Sequence, residues 1–530
     1  MYVNRNQWFF GDEWDFLADR SVTIGEKSVL EPHNEHWSTT PILLYGLLFR
    51  ATGLTSYLPY VAVVVAAHLV VVHLMWRVAL RADVRPWIAT VFCAAFILYG
   101  PGSENLLWAF QVGFVGSVAL GLAVILIADS PGDRPGRLAA GWAASAFALT
   151  FSGISIPLVG AAGIVRWMRG SFTSFLSWIS VPAAVYLMWL VTAGRDGTPA
   201  IPPSAESLGL LHVFFGRAVG SALSLGSPTW LAGLVPLVLS LAALRIRNRR
   251  GRSLPFAAVA AGIGWVLLLA ILAVGRTSFG LEVADSSRYV YIGGALLLPL
   301  LLVGVSDLVG GSTRGAVVLL AVMTVWGVSN VAGLRSTARE EAERERLIRE
   351  QLVAAGTLLE PETLLGTQPD PVFSPELHMW ELRIFLPDFA GGVDPGREAV
   401  MRAALALQVS VKEEPKLPVT RPISRLHPSD STLTPLPEGC ALARPAGTDP
   451  LVLIPFRPAS SMRLSTEEPV SVQVSISSGG LEPGYAGWGR LEPGTPVYLN
   501  IAVEPDLVGE GAIVFRFTSE VRLCGAPSEA

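Results

Sequence analysis

Charge is what this sequence has least of. Only 15% of its 530 residues are Asp, Glu, Lys or Arg, whereas 51% are hydrophobic and the mean hydropathy is +0.49. A soluble domain carries about a quarter of its residues as charges, so this balance excludes an ordinary soluble protein and fits an integral membrane protein. The net charge of −4 leaves no basic excess for nucleic acid. Cysteine is scarce too, and three residues are too few for a disulfide-rich scaffold. Cys93 falls in an apolar run and reads as core. Cys440 and Cys524 fall in the polar C-terminal part, where an extracytoplasmic location would let them pair or leave two thiols. No signal peptide, targeting motif or long repeat is visible.

What is present is a series of apolar runs. A bilayer core takes about 20 apolar residues as helix. Spans read at 57–76, 86–100, 108–128, 174–194, 229–245, 254–274, 288–306 and 315–333. The stretch 138–167 is too long for one pass and short for two, and Ser152-Gly153 interrupts it. The basic loops decide between these. Arg77, Arg81 and Arg85 mark one cytoplasmic loop, and Arg245, Arg247, Arg249, Arg250 and Arg252 mark another. Both fall inside only if 138–167 crosses twice, as two short helices turning at Ser152-Gly153. Arg134, Arg137, Arg166 and Arg169 then fall inside as well.

The expected fold is an all-α polytopic membrane bundle of about ten spans, followed by an extracytoplasmic β-rich domain. Residues 1–56 lie outside in this topology, with the loops near 101–107, 195–228 and 275–287 and everything after 334. The stretch 41–53, with Arg50, reads as a helix lying in the interface; the alternative is that Pro41–Gly53 also crosses, which would move the N-terminal segment into the cytoplasm. Something must carry the polar start across the membrane. A span upstream of Met1 would do so and raise the count to eleven; unaided translocation of a weakly charged segment is the other reading.

Three regions follow from this: 1–56, an exoplasmic loop; 57–334, the membrane domain; and 335–530, a β-sandwich-like domain. Residues 335–352 alternate Arg and Glu at helical spacing as the chain leaves the membrane. Alternation typical of strands appears in the runs beginning at Val470, Val497 and Ala512, separated by Ser-Gly-Gly and Glu-Pro-Gly turns. Tyr485 and Trp488 suit either stacking on sugar rings or the domain core.

Four clusters converge on the exoplasmic face. The first is Gly11-Asp12-Glu13-Trp14-Asp15, whose carboxylates would be costly in hydrocarbon and so belong at a wet surface. The second is Pro32-His33-Asn34-Glu35-His36-Trp37. The third is Glu104-Asn105 with Trp108. The fourth is Arg276, Glu282, Asp285, Arg288 and Tyr289. A carboxylate near a hydroxyl serves as general base, and arginine forks suit a phosphate leaving group. Tryptophans line sugar sites or sit at the membrane interface. Paired carboxylates, or His33 and His36, are candidate ligands for a divalent metal ion, though His-x-x-His is a weak signal that capping or hydrogen bonding also explains. His68 and His73, on an apolar span, read as packing histidines.

With these features the chain resembles the GT-C superfamily of polytopic glycosyltransferases. The likeness rests on Asp12-Glu13 in the first exoplasmic loop, the interface helix at 41–53, the short paired spans of 138–167 and the Arg-rich loop Arg276…Ser287-Arg288-Tyr289; it covers about residues 1–333. The resemblance implies a polyprenyl-phosphate-linked sugar donor and a cell-envelope acceptor (glycan, lipid or protein). Asp12 or Glu13 would be the base, with inversion at the anomeric carbon, and Arg276 and Arg288 would meet the leaving phosphate. His33, Glu35, His36, Glu104, Trp108 and Tyr289 complete the expected binding residues. The C-terminal domain resembles, more loosely, carbohydrate-binding domains appended to some actinobacterial members. Composition suggests a bacterial source, hence the cytoplasmic membrane. The rival classes are a transporter or lipid flippase, and a membrane acyltransferase built on His68 or His73.

Overall fold

A computed structural model describes residues 5–131, 135–196, 211–223, 231, 234–249, 251, 253–276, 281–309, 312–357, 368–370, 373–412, 426–437, 439–447, 449–455, 460–478, 481–501 and 511–525. The chain forms two compact units. Unit 1 holds Met1–Gln7 and Arg20–Ala342; unit 2 holds Trp8–Asp19 and Glu343–Ala530. The units therefore cut through the 1–56 segment and place its acidic run with the C-terminal part.

Unit 1 is helical. Its elements are α1 (Thr39–Thr52), α2 (Leu58–Arg81), α3 (Pro86–Phe96), α4 (Glu104–Leu107), α5 (Val112–Ala128), α6 (Pro135–Leu149), α7 (Ser155–Arg169), α8 (Phe172–Thr192), α9 (Leu211–Leu223), α10 (Leu234–Arg249), α11 (Phe256–Arg276), α12 (Ser287–Val309) and the first part of α13 (Thr313–Thr357). Over most of their described residues the expected apolar runs are helical, and 138–167 is a pair of short helices joined at Thr150–Ile154. Among the described residues six helices are long and apolar enough to cross a membrane, fewer than the ten expected. The others, such as α3 with 11 residues and α6 and α7 with 15 each, are too short for that measure. α9 occupies part of a stretch expected to be loop.

Burial ranks these helices. The apolar window of α12 is 78% inside the protein, against 17% for α8, so α12 is central and α8 peripheral. α12 packs on α2, α9, α10 and α11, and α7 packs on α5, α8 and α11. Lipid tails are as apolar as leucine, so close packing must hold such helices together, and small residues permit it. A Cβ on Gly121 would fall 2.3 Å from Leu158 Cδ1, and one on Gly293 would fall 2.5 Å from Ala222 Cβ. Either substitution would push two helices apart.

The two ends of the bundle differ in chemistry. At one end Asp129, 3% exposed, holds Arg169 at 2.7 Å and Arg81 at 3.3 Å, while Arg247 pairs with Asp83 and Arg85 N–H donates to Ser306. Helix directions carry the other termini of α2, α5, α7 and α12 to the opposite end. There Thr40 N–H donates to the Thr150 carbonyl, and Ser287 meets the start of α4. Arg81, Arg85, Arg169 and Arg247, from the basic loops of the sequence, thus share one end.

Unit 2 combines helices with a β-sandwich. Among the described residues α14 (Met379–Phe389) and α15 (Arg397–Gln408) precede eleven strands: β1 (Val409–Lys412), β2 (His427–Ser429), β3 (Ser431–Leu436), β4 (Cys440–Pro445), β5 (Leu451–Pro455), β6 (Ser460–Ser465), β7 (Val470–Ser478), β8 (Leu481–Leu491), β9 (Val497–Ile501), β10 (Gly511–Phe517) and β11 (Val521–Cys524). They form two antiparallel sheets, in the orders β1-β9-β6-β11-β4-β3 and β2-β5-β10-β7-β8. Alternate residues turn inward: Val470, Val472 and Val474 meet Ile513, Phe515 and Phe517 in one core. Cys440 and Cys524 lie opposite one another on β4 and β11 and form a disulfide.

The acidic segment joins unit 2 through aromatic packing. Trp8 N–H donates to Glu345 Oε2 at 2.6 Å, and its ring meets Phe389 and lies under the Arg349 guanidinium at 4.3 Å. Trp14 packs on Phe385, and Gly11 N–H donates to the Phe373 carbonyl.

Candidate functional site around Glu104 and Arg288

The site is built from three loops of unit 1. A Gly-Pro-Gly turn at 100–102 leads into α4 and packs so closely on α12 that a Cβ on Gly102 would fall 2.8 Å from Tyr291 Cβ. Only glycine fits there, and the fit sets Glu104 beside the start of α12. Glu104 N–H donates to Ser287 Oγ at 3.1 Å, and the same hydroxyl donates to the Pro101 carbonyl at 2.9 Å. Glu104 Oε1 then lies 3.0 Å from Arg288 Nε and accepts from Gln111 Nε2 at 3.3 Å. Arg288 is 36% exposed and Glu104 23%, so the pair is open to solutes. Two clusters far apart in sequence therefore meet.

The fourth cluster is only partly gathered. Asp285 pairs with Arg217 of α9 and accepts from Ser221 at 3.0 Å. Tyr289 is buried in the first turn of α12. Arg276 ends α11, and its side chain lies outside the described residues.

The histidine segment folds as a tight turn. His33 and His36 exchange both backbone hydrogen bonds, at 3.0 and 2.9 Å, with Asn34 at φ 51°. Asn tolerates that left-handed conformation better than most residues. Arg20, 1% exposed, braces the turn by donating to the carbonyls of Ser28, Glu31 and Pro32. Trp37 stacks on Trp189 at 5.0 Å, and Trp189 Nε1 donates to the Leu30 carbonyl. The His33 ring meets Phe110, which stacks on Trp108, so this turn adjoins the loop carrying Glu104.

The two His rings face other partners. His33 Nε2 lies 3.0 Å from the Asn34 amide, His36 packs on Phe114, and the exposed Glu35 lies 3.7 Å from His36. Among the described residues no group of three or more His, Cys, Asp or Glu side chains is placed to hold a metal ion.

Asp12 and Glu13 belong to unit 2. Glu13 is fully buried and accepts from Phe10 N–H at 3.1 Å, Asp15 is 4% exposed, and Asp12 is half-buried. Tyr485 and Trp488 lie on β8, with side chains outside the described residues. His68 is the satisfied packing residue expected: its two ring nitrogens meet Tyr291 and Ile97.

Sequence reading passed over Gln111, Arg20 and Tyr291, and named Ser287 only as part of its loop. Gln111 carried a faint signal, as a lone amide at the head of an apolar run. Tyr291 carried none, because its partner His68 is 223 residues away, and Arg20 carried none, because it is held by backbone carbonyls that no residue type marks.

No family model and no curated protein matches the chain. Among solved structures it is similar to ArnT from Cupriavidus metallidurans, crystallised with undecaprenyl phosphate. The likeness has a TM-score of 0.43 and 14% identity over 77% of this chain and 90% of that one.

Proposed function

We propose that this chain is a membrane glycosyltransferase that moves a sugar from a polyprenyl-phosphate donor to a cell-envelope glycan, lipid or protein, with inversion. The observation that supports this reading most is the Glu104–Arg288 pair at the non-basic end of the bundle. A guanidinium there offers forked donors to a phosphate at the membrane surface, where a lipid-linked donor presents its headgroup.

In this reading Asp12 or Glu13 takes the acceptor hydroxyl proton, and the acceptor oxygen attacks the anomeric carbon. The bond from that carbon to the phosphate oxygen breaks, and the electron pair leaves on the polyprenyl phosphate. Arg288 and Arg276 neutralise that charge. Asp12 is the stronger candidate base, because it is half-buried whereas Glu13 is sealed from solvent. His33, His36, Glu35, Trp108 and Tyr289 are proposed to shape the donor site. The sandwich of unit 2 is proposed to hold carbohydrate outside a bacterial cytoplasmic membrane.

A transporter or flippase would want ionisable groups at mid-membrane depth. Among the described residues of the helices up to α12, arginines and carboxylates fall within a turn or two of the ends, and buried His68 is internally bonded. That distribution favours chemistry at the surface.

The test is transfer of radiolabelled sugar from a panel of polyprenyl-phosphate donors by protein in liposomes. Asp12→Asn is expected to lower the rate about 100-fold to 10,000-fold, as loss of a general base does. Arg288→Ala should lower it comparably. Full transfer by both variants would overturn the assignment of these residues. Movement of the intact lipid-linked sugar across the bilayer without transfer would favour the flippase.

A further inference from the structure

Arg288 is not idle before a phosphate arrives. Its Nε already faces Glu104 Oε1 at 3.0 Å, and that oxygen also takes the Gln111 amide at 3.3 Å. Glu104 is fixed a third time, by its backbone N–H on Ser287 Oγ at 3.1 Å. Gln111 therefore holds the carboxylate and Ser287 the backbone independently of the arginine, while Arg288 remains 36% exposed.

The geometry points to Glu104 as an exchangeable counter-ion, a positioning residue that aims Arg288 and yields it to an incoming phosphate monoester. This rests on the phosphate-handling reading of the site given above. A partly exposed ion pair holds its partners weakly, because water screens it. A guanidinium bound to phosphate through two parallel N–H···O bonds is held more strongly, so the phosphate wins the exchange. Gln111 and Ser287 keep Glu104 in place afterwards. Its carboxylate then competes for the same guanidinium, and that competition weakens the complex. Glu104 thus orients the arginine in the empty site and hastens release of the lipid phosphate.

Binding, rather than turnover, separates this role from simple support. Farnesyl phosphate titrated onto the full-length protein in detergent micelles is the probe. In Glu104→Gln the side-chain carbonyl still accepts from Arg288 but the charge is gone. That variant is expected to bind farnesyl phosphate roughly threefold to tenfold more tightly, mainly through slower dissociation. Arg288→Ala should weaken binding about tenfold or more, the loss of a charge-assisted pair. Because Glu104 acts through the arginine, the double variant should bind as Arg288→Ala does. Glu104→Asp, which keeps the charge, should stay near wild type.

A supporting role alone would weaken binding in Glu104→Gln, the opposite sign. Equal or weaker binding by that variant, with melting unchanged, overturns the exchange. So does tightening that persists without Arg288. If Glu104→Gln does not fold, a Glu104→Asp variant that binds tighter than wild type overturns it as well. Wild-type protein that fails to bind farnesyl phosphate sinks the exchange together with the phosphate reading; normal binding with an unresponsive Glu104→Gln sinks the exchange alone.

Discussion

Tyr291 of α12 and His68 of α2 share a hydrogen bond of 2.8 Å, three residues along the helix from Arg288. His68 Nε2 faces the Ile97 carbonyl at 3.1 Å, and a carbonyl only accepts, so Nε2 carries the proton and Nδ1 accepts from the tyrosine. Both side chains are buried, at 2% and 0% exposure. The bond ties the start of α12 to α2 and to the end of α3. Tyr291→Phe should cost about 1 kcal/mol, the usual scale for such bonds between membrane helices, seen as a lower melting temperature in detergent. An unchanged melt would mean that the bond does not hold α12.

Reduction of Cys440–Cys524, or Cys440→Ser, should destabilise the sandwich. The bridge closes a loop with a sequence separation of 84. Chain-entropy reasoning gives about 4–5 kcal/mol for a loop of that size, with native strain lowering the figure. Urea unfolding followed in unit 2, with and without reductant, checks this; coincident curves would refute it.

Glu381 gives unit 2 a pH dependence. It is 1% exposed, and burial raises its pKa above the ordinary carboxylate value, with the Asp19 carboxylate adding to the rise. Between its unfolded and folded pKa the native state holds more protons than the unfolded one, so stability falls as pH rises through that window. Above the folded pKa the whole cost is present. Unfolding measured from pH 7 down toward pH 4 should show stabilisation on acidification. Glu381→Gln should remove that component, although other titrating groups remain.

The topology makes an accessibility prediction. In a Cys93→Ser background, Glu35→Cys at the site end should react with an impermeant maleimide on intact cells. Ser171→Cys, exposed next to α8 at the basic end, should react only after permeabilisation. The reverse pattern would invert the membrane orientation proposed here.

Much of this architecture was readable along the chain. Apolar runs gave the helices because a bilayer demands about 20 apolar residues per crossing. The excess of arginine at one set of loops required 138–167 to fold as two helices, and Ser152-Gly153 marked their turn. Alternation at Val470, Val497 and Ala512 gave strands because successive side chains point to opposite faces. These are local patterns, and the order of residues within each segment carries them.

Tertiary structure decided which clusters meet. Nothing in the sequence says that Glu104 reaches Arg288, or that Gln111 steadies it, since those contacts depend on how α4, α5 and α12 pack. The acidic run is the sharpest case. By position it belongs with the first loop, yet Trp8 and Trp14 place it in unit 2 by burying their rings against Phe389 and Phe385. Burying aromatic surface outweighs adjacency along the chain, because a Trp side chain withdraws some 200 Å² or more from water. The sequence determined the helices, the strands and the polarity of the bundle; packing chose the partners of each charge.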